Sequence, residues 1–175
     1  IGHSNVPSMY YGLNLSLDWN GIDFTAFFQG AGGHEQFMQE TFNQAFILSG
    51  QGTGITIWLD RWHRENPEDM SSAWIAGQMP AIRPGGFALN DQTSTWYLLK
   101  EDYLRLKTVE LGYTLPRKAV SKAGMENVRI YVNSYNPLTF TGGGIMKYMD
   151  PENANQYLQY YPQMMSYNFG INLTF

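Results

Sequence analysis

The last eleven residues alternate without a break: Met165, Tyr167, Phe169, Ile171, Leu173 and Phe175 are apolar, and Ser166, Asn168, Gly170, Asn172 and Thr174 between them are small or polar. Successive side chains of a strand point to opposite faces, so this pattern specifies a β-strand with one apolar and one polar face. The same period recurs upstream. Over residues 9–18, Met9, Tyr11, Leu13, Leu15 and Leu17 alternate with Gly12, Asn14, Ser16 and Asp18, Tyr10 being the exception. Trp19-Asn20-Gly21 follows, and Asn-Gly is the strongest short hairpin signal. The return strand places Ile22, Phe24, Ala26 and Phe28 on one face, opposite Asp23, Thr25 and Gln29.

Two further strands read the same way. Residues 103–115 set Val109, Leu111, Tyr113 and Leu115 against Glu110, Gly112 and Thr114. Their first half is in the other phase, with Leu104 and Leu106 against Arg105 and Lys107, which signals either a bulge or a strand top clear of the apolar zone. Residues 127–140 carry Val128, Ile130, Val132, Leu138 and Phe140 on one side, and Asn127, Arg129 and Asn133 on the other. The fold class is therefore all-β, with about five antiparallel strands.

The connections alternate short and long. Residues 19–21 and 116–126 are short; 30–102 and 141–162 are long. Transmembrane barrels have short periplasmic turns and long extracellular loops, whereas a soluble sandwich has no reason to gather its long loops at one end. This predicts a membrane barrel wall running down, up, down, up, down, with Phe175 on the periplasmic side. A loop of about seventy residues is too long to lack structure of its own. Two short amphipathic helices are expected in it. One lies within residues 35–48, where Met38, Phe42, Ala45 and Phe46 share a face before Gly50; the other, residues 55–65, sets Trp58 and Trp62 one turn apart.

Composition narrows the classes. Charged residues are 15% against about 25% in soluble domains, and aromatics also reach 15%, an excess that membrane-interface girdles accommodate. The net charge of −4 and the lack of a Lys/Arg cluster argue against nucleic acid. No Cys is present, which removes disulfides and thiolate metal sites. No apolar run reaches the roughly 18 residues of a membrane helix. The opening Ile1-Gly2-His3-Ser4 has neither an initiator Met nor a signal pattern, so the chain is expected to be a piece of something longer.

The closing run Asn168-Phe169-Gly170-Ile171-Asn172-Leu173-Thr174-Phe175 resembles the C-terminal β-signal read by the bacterial barrel-assembly machinery, with Asn168, Gly170, Leu173 and Phe175 at the matching positions. An alternating strand with a free edge can pair by strand addition. Tyr103-Leu104-Arg105-Leu106-Lys107-Thr108-Val109-Glu110-Leu111-Gly112-Tyr113-Thr114-Leu115-Pro116 resembles a strand motif of the SusC/RagA family. Residues 128–138 are similar to that family's next strand, with Pro137 a departure. Phe27-Phe28-Gln29-Gly30, Trp58-Leu59-Asp60-Arg61-Trp62 and Glu65-Asn66-Pro67 also fit.

The resemblance implies that residues 1–175 are the C-terminal part of a TonB-dependent receptor barrel of 22 strands, whose plug domain and earlier strands are absent here. It further implies an outer-membrane importer of oligosaccharides or peptides that works with a SusD-like lipoprotein and is powered through the TonB complex. Its other partners would be the rest of the barrel and its plug, the barrel-assembly machinery, and outer-membrane lipid with lipopolysaccharide. Five strands cannot close a barrel, so the chain alone should transport nothing.

Candidate sites follow. Trp58, Asp60, Trp62, Trp74 and Trp96 lie in the long loop, where aromatic faces can stack on a solute or meet a lid; the duller role for Trp58 and Trp62, holding the loop to the wall, is favoured. Trp19 reads as an interface anchor. Asp23, Glu110 and Arg129 are assigned to the lumen, lining the solute path, contacting the plug or simply hydrated. Arg105 and Lys107 are placed at the outer rim near lipopolysaccharide phosphates, or else solvated. His3, His34 and His63 lack metal-binding spacing, Asp150-Pro151-Glu152-Asn153 reads as a turn rather than a calcium loop, and Gly142-Gly143-Gly144 precedes no helix. No cofactor, metal or catalytic constellation is expected. The alternative is a soluble or surface glycan-binding β-sandwich, which predicts charged outer faces where this chain has mostly Asn, Ser, Thr and Gly. A secreted β-rich enzyme is weaker still.

Overall fold

The computed structural model describes residues 4–38, 45–46, 54–82, 92, 94–142, 146, 149–153, 161 and 163–175. Five long strands form one antiparallel sheet: β1 (Met9–Trp19), β2 (Ile22–Gly32), β7 (Tyr103–Thr114), β8 (Asn127–Thr141) and β9 (Ser166–Thr174), neighbours in that order. Among the described residues four short strands lie in the long loop. Of these β3 (Glu35–Phe37) pairs with β6 (Leu98–Lys100), and β4 (His63–Arg64) pairs with β5 (Trp74–Ile75). A single helical turn, α1 (Arg117–Val120), sits in the second short connection behind Pro116.

The hairpin between β1 and β2 follows from Asn20 and Gly21, whose φ values of 54° and 88° are the left-handed pair of a two-residue turn. It leaves Trp19 opposite Ile22 and fixes the register of the whole wall. Apolar rows then run across the strands. Leu17, Phe24, Leu111, Val132 and Phe169 form one; Trp19, Ile22, Tyr113, Ile130 and Ile171 form the next. Ser134 interrupts this face, and its hydroxyl donates to the Ser166 carbonyl at 2.9 Å.

The phase change within β7 is a bulge. Phe27 faces Thr108 while Phe28 faces Leu106, and the register against β8 also skips Lys107, so Leu104 and Leu106 share a face with Val109, Leu111 and Tyr113. Pro137 falls at the same irregularity, beside Asn136 with φ 51°. A proline without an N–H is tolerated there, and β8 continues to Thr141.

The apolar face is bare. Leu13, Leu17, Ile130, Phe140, Phe169 and Ile171 are all between 48% and 84% exposed. A sandwich needs a second sheet about 10 Å away over this face. Among the described residues the other sheets have two short strands each, so the sandwich reading is overturned. Tyr11 and Trp19 bracket the face. Their eight-residue separation spans about 27 Å along a strand at ~3.4 Å per residue, or about 21 Å of height at ~40° tilt, close to the ~25 Å apolar band of membrane barrels.

Of the two expected loop helices, the first falls mostly outside the described residues and the second is present but shorter. Residues 35–37 are strand rather than helix, and most of the remaining stretch to residue 48, with Phe42, lies outside the described residues, as do Gly50, His3 and Gly143-Gly144. Of residues 55–65, only Thr56–Leu59 coils, as a 3-10 turn. The backbone N–H groups of Trp62 and Glu65 donate to Met79 and Ala73 instead of back along a helix. The segment 73–79 competes successfully for those donors, and β-branched Thr56 and Ile57 give the helix little intrinsic support. Met38, Met146 and Met149 pack with Ile55, Ile57 and Leu99 into a small core at the long-loop end.

Candidate functional site

The polar face carries a bonded ladder. The Arg129 guanidinium on β8 grips the Asp23 carboxylate on β2 through Nη2 and Nε, reaching over β7, and its Nη2 also donates to Glu110 Oε1 at 2.7 Å. Asn133 Nδ2 donates to Glu110 Oε2 at 3.1 Å, and Asn168 Nδ2 on β9 donates to Asn133 Oδ1 at 2.8 Å. Four strands are joined in one chain of contacts. Gly112 makes the reach possible, because a methyl group there would collide with both Arg129 and Asp23. The Arg129 guanidinium also lies over the Tyr131 ring, 5.0 Å from its centre, and that ring covers Gly170. The sequence pattern put Asp23, Glu110 and Arg129 on one face; it did not reveal that they bond to each other.

A second cluster sits at the long-loop end. Arg105 is 3% exposed, and its guanidinium is spent entirely within the fold. It donates to Asp150 Oδ1 at 2.8 Å, Gln163 Oε1 at 2.9 Å and Thr139 Oγ1 at 2.9 Å, and pairs with Glu152 at 3.2 Å. Lys107 Nζ meets Glu152 Oε2 at 2.6 Å. The assignment of Arg105 and Lys107 to lipopolysaccharide at the rim is therefore corrected: both charges hold the last long loop against the polar face. Asp150 does form a turn, accepting from the Glu152 N–H at 3.0 Å and, through its carbonyl, from the Asn153 N–H at 3.2 Å.

Beside this cluster lie two buried titratable groups that the sequence did not single out. His34 and Glu101 are 4% and 3% exposed, with His34 Nε2 facing Glu101 Oε2 at 3.5 Å. Burial pushes the Glu101 carboxyl up to about 7. Burial also lowers the His34 pKa, against the pull of the Asp102 charge. Glu101 and His34 line a cavity of about 390 Å³ together with Tyr10, Gln29, Tyr103 and Glu152. The sequence had offered His34 only as a histidine without metal-binding spacing, and Glu101 not at all.

The loop tryptophans part company. Trp58 is buried at 5%, while Trp62, Trp74 and Trp96 are 45%, 50% and 59% exposed. Trp74 stacks under the Arg64 guanidinium at 4.3 Å, and the Asp60 carbonyl holds the Met79 N–H at 2.9 Å. These residues are not brought into one site. On β9, Leu173 and Phe175 stand exposed, and Trp19 is exposed beside the hairpin turn. Among the described residues no three His, Asp or Glu side chains are grouped to hold a metal ion, and no helix is long and apolar enough to cross a membrane.

No protein-family model matches the chain. It is similar to TonB-dependent receptor P3 of Formosa agariphila, with 28% identity over 97% of the chain and 16% of that protein. TonB-dependent receptor P26 of the same organism is 28% identical over 87% of the chain and 14% of its own length. Structures of the RagAB peptide importer match the whole chain, with TM-score 0.69 and 26% identity in the open-open state, and 0.72 and 25% in the closed-closed state. The chain covers 18% of the matched RagAB chain, so it spans less than a fifth of the length of each relative.

Proposed function

We propose that this chain, a five-stranded segment of a TonB-dependent receptor barrel of the outer membrane, forms the closing wall of a nutrient importer and carries no catalysis of its own. The observation behind this reading is the single-layer sheet, with one face bare and apolar and the other polar and internally bonded. Lipid covers the first face and the barrel interior takes the second. Both edge strands, β1 and β9, are open in the five-stranded sheet. In lipid an open edge leaves backbone groups unsatisfied, so these edges pair with the remaining strands of a barrel that holds the plug.

The long-loop end, with its methionine core and tryptophans, faces the outside and meets a SusD-like lipoprotein; the hairpin turn, α1 and Phe175 face the periplasm. Asp23, Glu110 and Arg129 face the lumen, and Asn168, Gly170, Leu173 and Phe175 serve as the assembly signal. The imported solutes are oligosaccharides or peptides, the RagAB complex being a peptide importer.

The deciding experiment is detergent extraction of outer membranes followed by intact mass and N-terminal sequencing. A single species several times the 20.0 kDa of this chain that carries its C-terminus is expected. A stable species of the chain's own mass that dissolves without detergent refutes the reading. Uptake of labelled peptide and of labelled oligosaccharide by cells with and without the gene then chooses the solute class, and co-purification tests the lipoprotein.

A further inference from the structure

Four buried side-chain N or O atoms lack a hydrogen-bond partner among the described residues, and three of them belong to residues lining one cavity: His34 Nδ1, Glu101 Oε1 and Glu152 Oε1. An unpaired buried polar atom is costly and calls for an explanation. All three are acceptors. The carboxylate facing His34 Nε2 keeps the imidazole proton on that nitrogen, so Nδ1 presents a lone pair. The neighbouring donors are already used. Arg105 and Lys107 bond Asp150 and the Oε2 side of Glu152, and Asp102 takes the Gly33 N–H at 2.8 Å. Asp150 and Glu152 thus already balance Arg105 and Lys107, while Glu101 faces His34, so ionisation of Glu101 leaves the excess negative.

A bare metal ion does not fit, because no three of these side chains are grouped to ligate one. The acceptors line a cavity of about 390 Å³, within the range of small-molecule sites. Tyr10 and Tyr103 supply aromatic wall. We infer that this cavity at the long-loop end is a binding site for an organic cation rich in N–H donors, an ammonium or guanidinium group, with Glu101 as its main anchor and Glu152 and His34 as further acceptors. Such a group satisfies several acceptors at once and neutralises the excess charge. The assignment concerns the cavity alone and does not rest on the import reading. The cation arrives either as a free solute or as a Lys side chain of another segment of the same protein.

The test is carbodiimide coupling in the purified whole membrane protein, with pentane-1,5-diamine as probe and pentane-1,5-diol as the uncharged competitor, read by peptide mass spectrometry. Buried Glu101 should normally be the least reactive carboxylate, below exposed Glu68 and Glu126. A bound cation reverses that order. The expected result is a saturable diamine adduct on Glu101, at least about tenfold above Glu68 and Glu126 at low probe concentration, unaffected by the diol. A cross-link from Glu101 to a lysine elsewhere in the protein, in place of the adduct, also supports the site and assigns the cation to the protein itself. Glu101 coupling with neither, or no faster than the exposed glutamates, overturns the inference.

Discussion

Replacing Arg105 with alanine should release the last long loop while leaving the wall intact. The guanidinium makes contacts with Asp150, Glu152, Gln163 and Thr139, only the last of which belongs to a neighbouring strand. Removing one partner of a buried ion pair costs about 3–5 kcal/mol when nothing compensates. Compensation here is partial. Asp150 retains the backbone donors of Glu152 at 3.0 Å and Gln163 at 3.1 Å, and Glu152 retains Lys107. A loss of about 2–3 kcal/mol remains for the closed loop, which is about 30- to 150-fold in its opening equilibrium. Hydrogen exchange on the whole protein in detergent reads this directly at the Glu152 and Gln163 amides, with β7 and β8 amides as the reference. Arg105→Lys should recover only part of the protection, since an ammonium cannot reproduce a planar fork. Exchange at those two amides within threefold of wild type would refute the reasoning. So would an equal rise along β7 and β8, which would make Arg105 a support of the wall instead.

Gly112→Val should break the ladder by driving a side chain into Arg129 and Asp23, costing about 1–3 kcal/mol and lowering the folded, heat-modifiable fraction on a cold detergent gel. Glu101 binds its proton more tightly in the fold, with a pKa of about 7 against an ordinary 4.5. Local stability is therefore greatest below about pH 4.5, falls as pH rises to about 7 and is flat above, by at most about 3 kcal/mol. Exchange of the Glu101 amide, which donates to the His34 carbonyl at 3.2 Å, should show that fall in amine-free buffer, and Glu101→Gln should abolish it. Deleting Phe175 should leave the protein in the periplasm at the expense of the outer membrane, measured by fractionation; equal outer-membrane levels would remove it from the assembly signal.

The five long strands were legible because each is written in period two; that period also showed the phase change in β7 but left a bulge and a strand top as alternatives, and only the register placed the bulge at Lys107. The hairpin was legible for the same local reason, an Asn-Gly pair whose φ values are met in one turn type. The second loop helix was read too long because the order of that loop is non-local. Trp62 bonds to Met79 and Glu65 to Ala73, both well outside one helical turn, and helical spacing of aromatics carries no information about that competitor. Site contacts were lost for a related reason: Arg105 meets Asp150 across 45 positions and Arg129 meets Asp23 across 106, separations that only the sheet order closes.

Apart from the row that Ser134 interrupts, the bare face is greasy, so that face is nearly blind to a strand slipping by two residues: Leu173 would sit opposite Ile130 as comfortably as opposite Val128. The other face is not blind. A slip of two residues moves a strand by about 7 Å, enough to strand Arg129 away from Asp23 and Glu110. The ladder thus works as an index mark, giving the wall's closing strands one correct alignment where the lipid-exposed side would accept several.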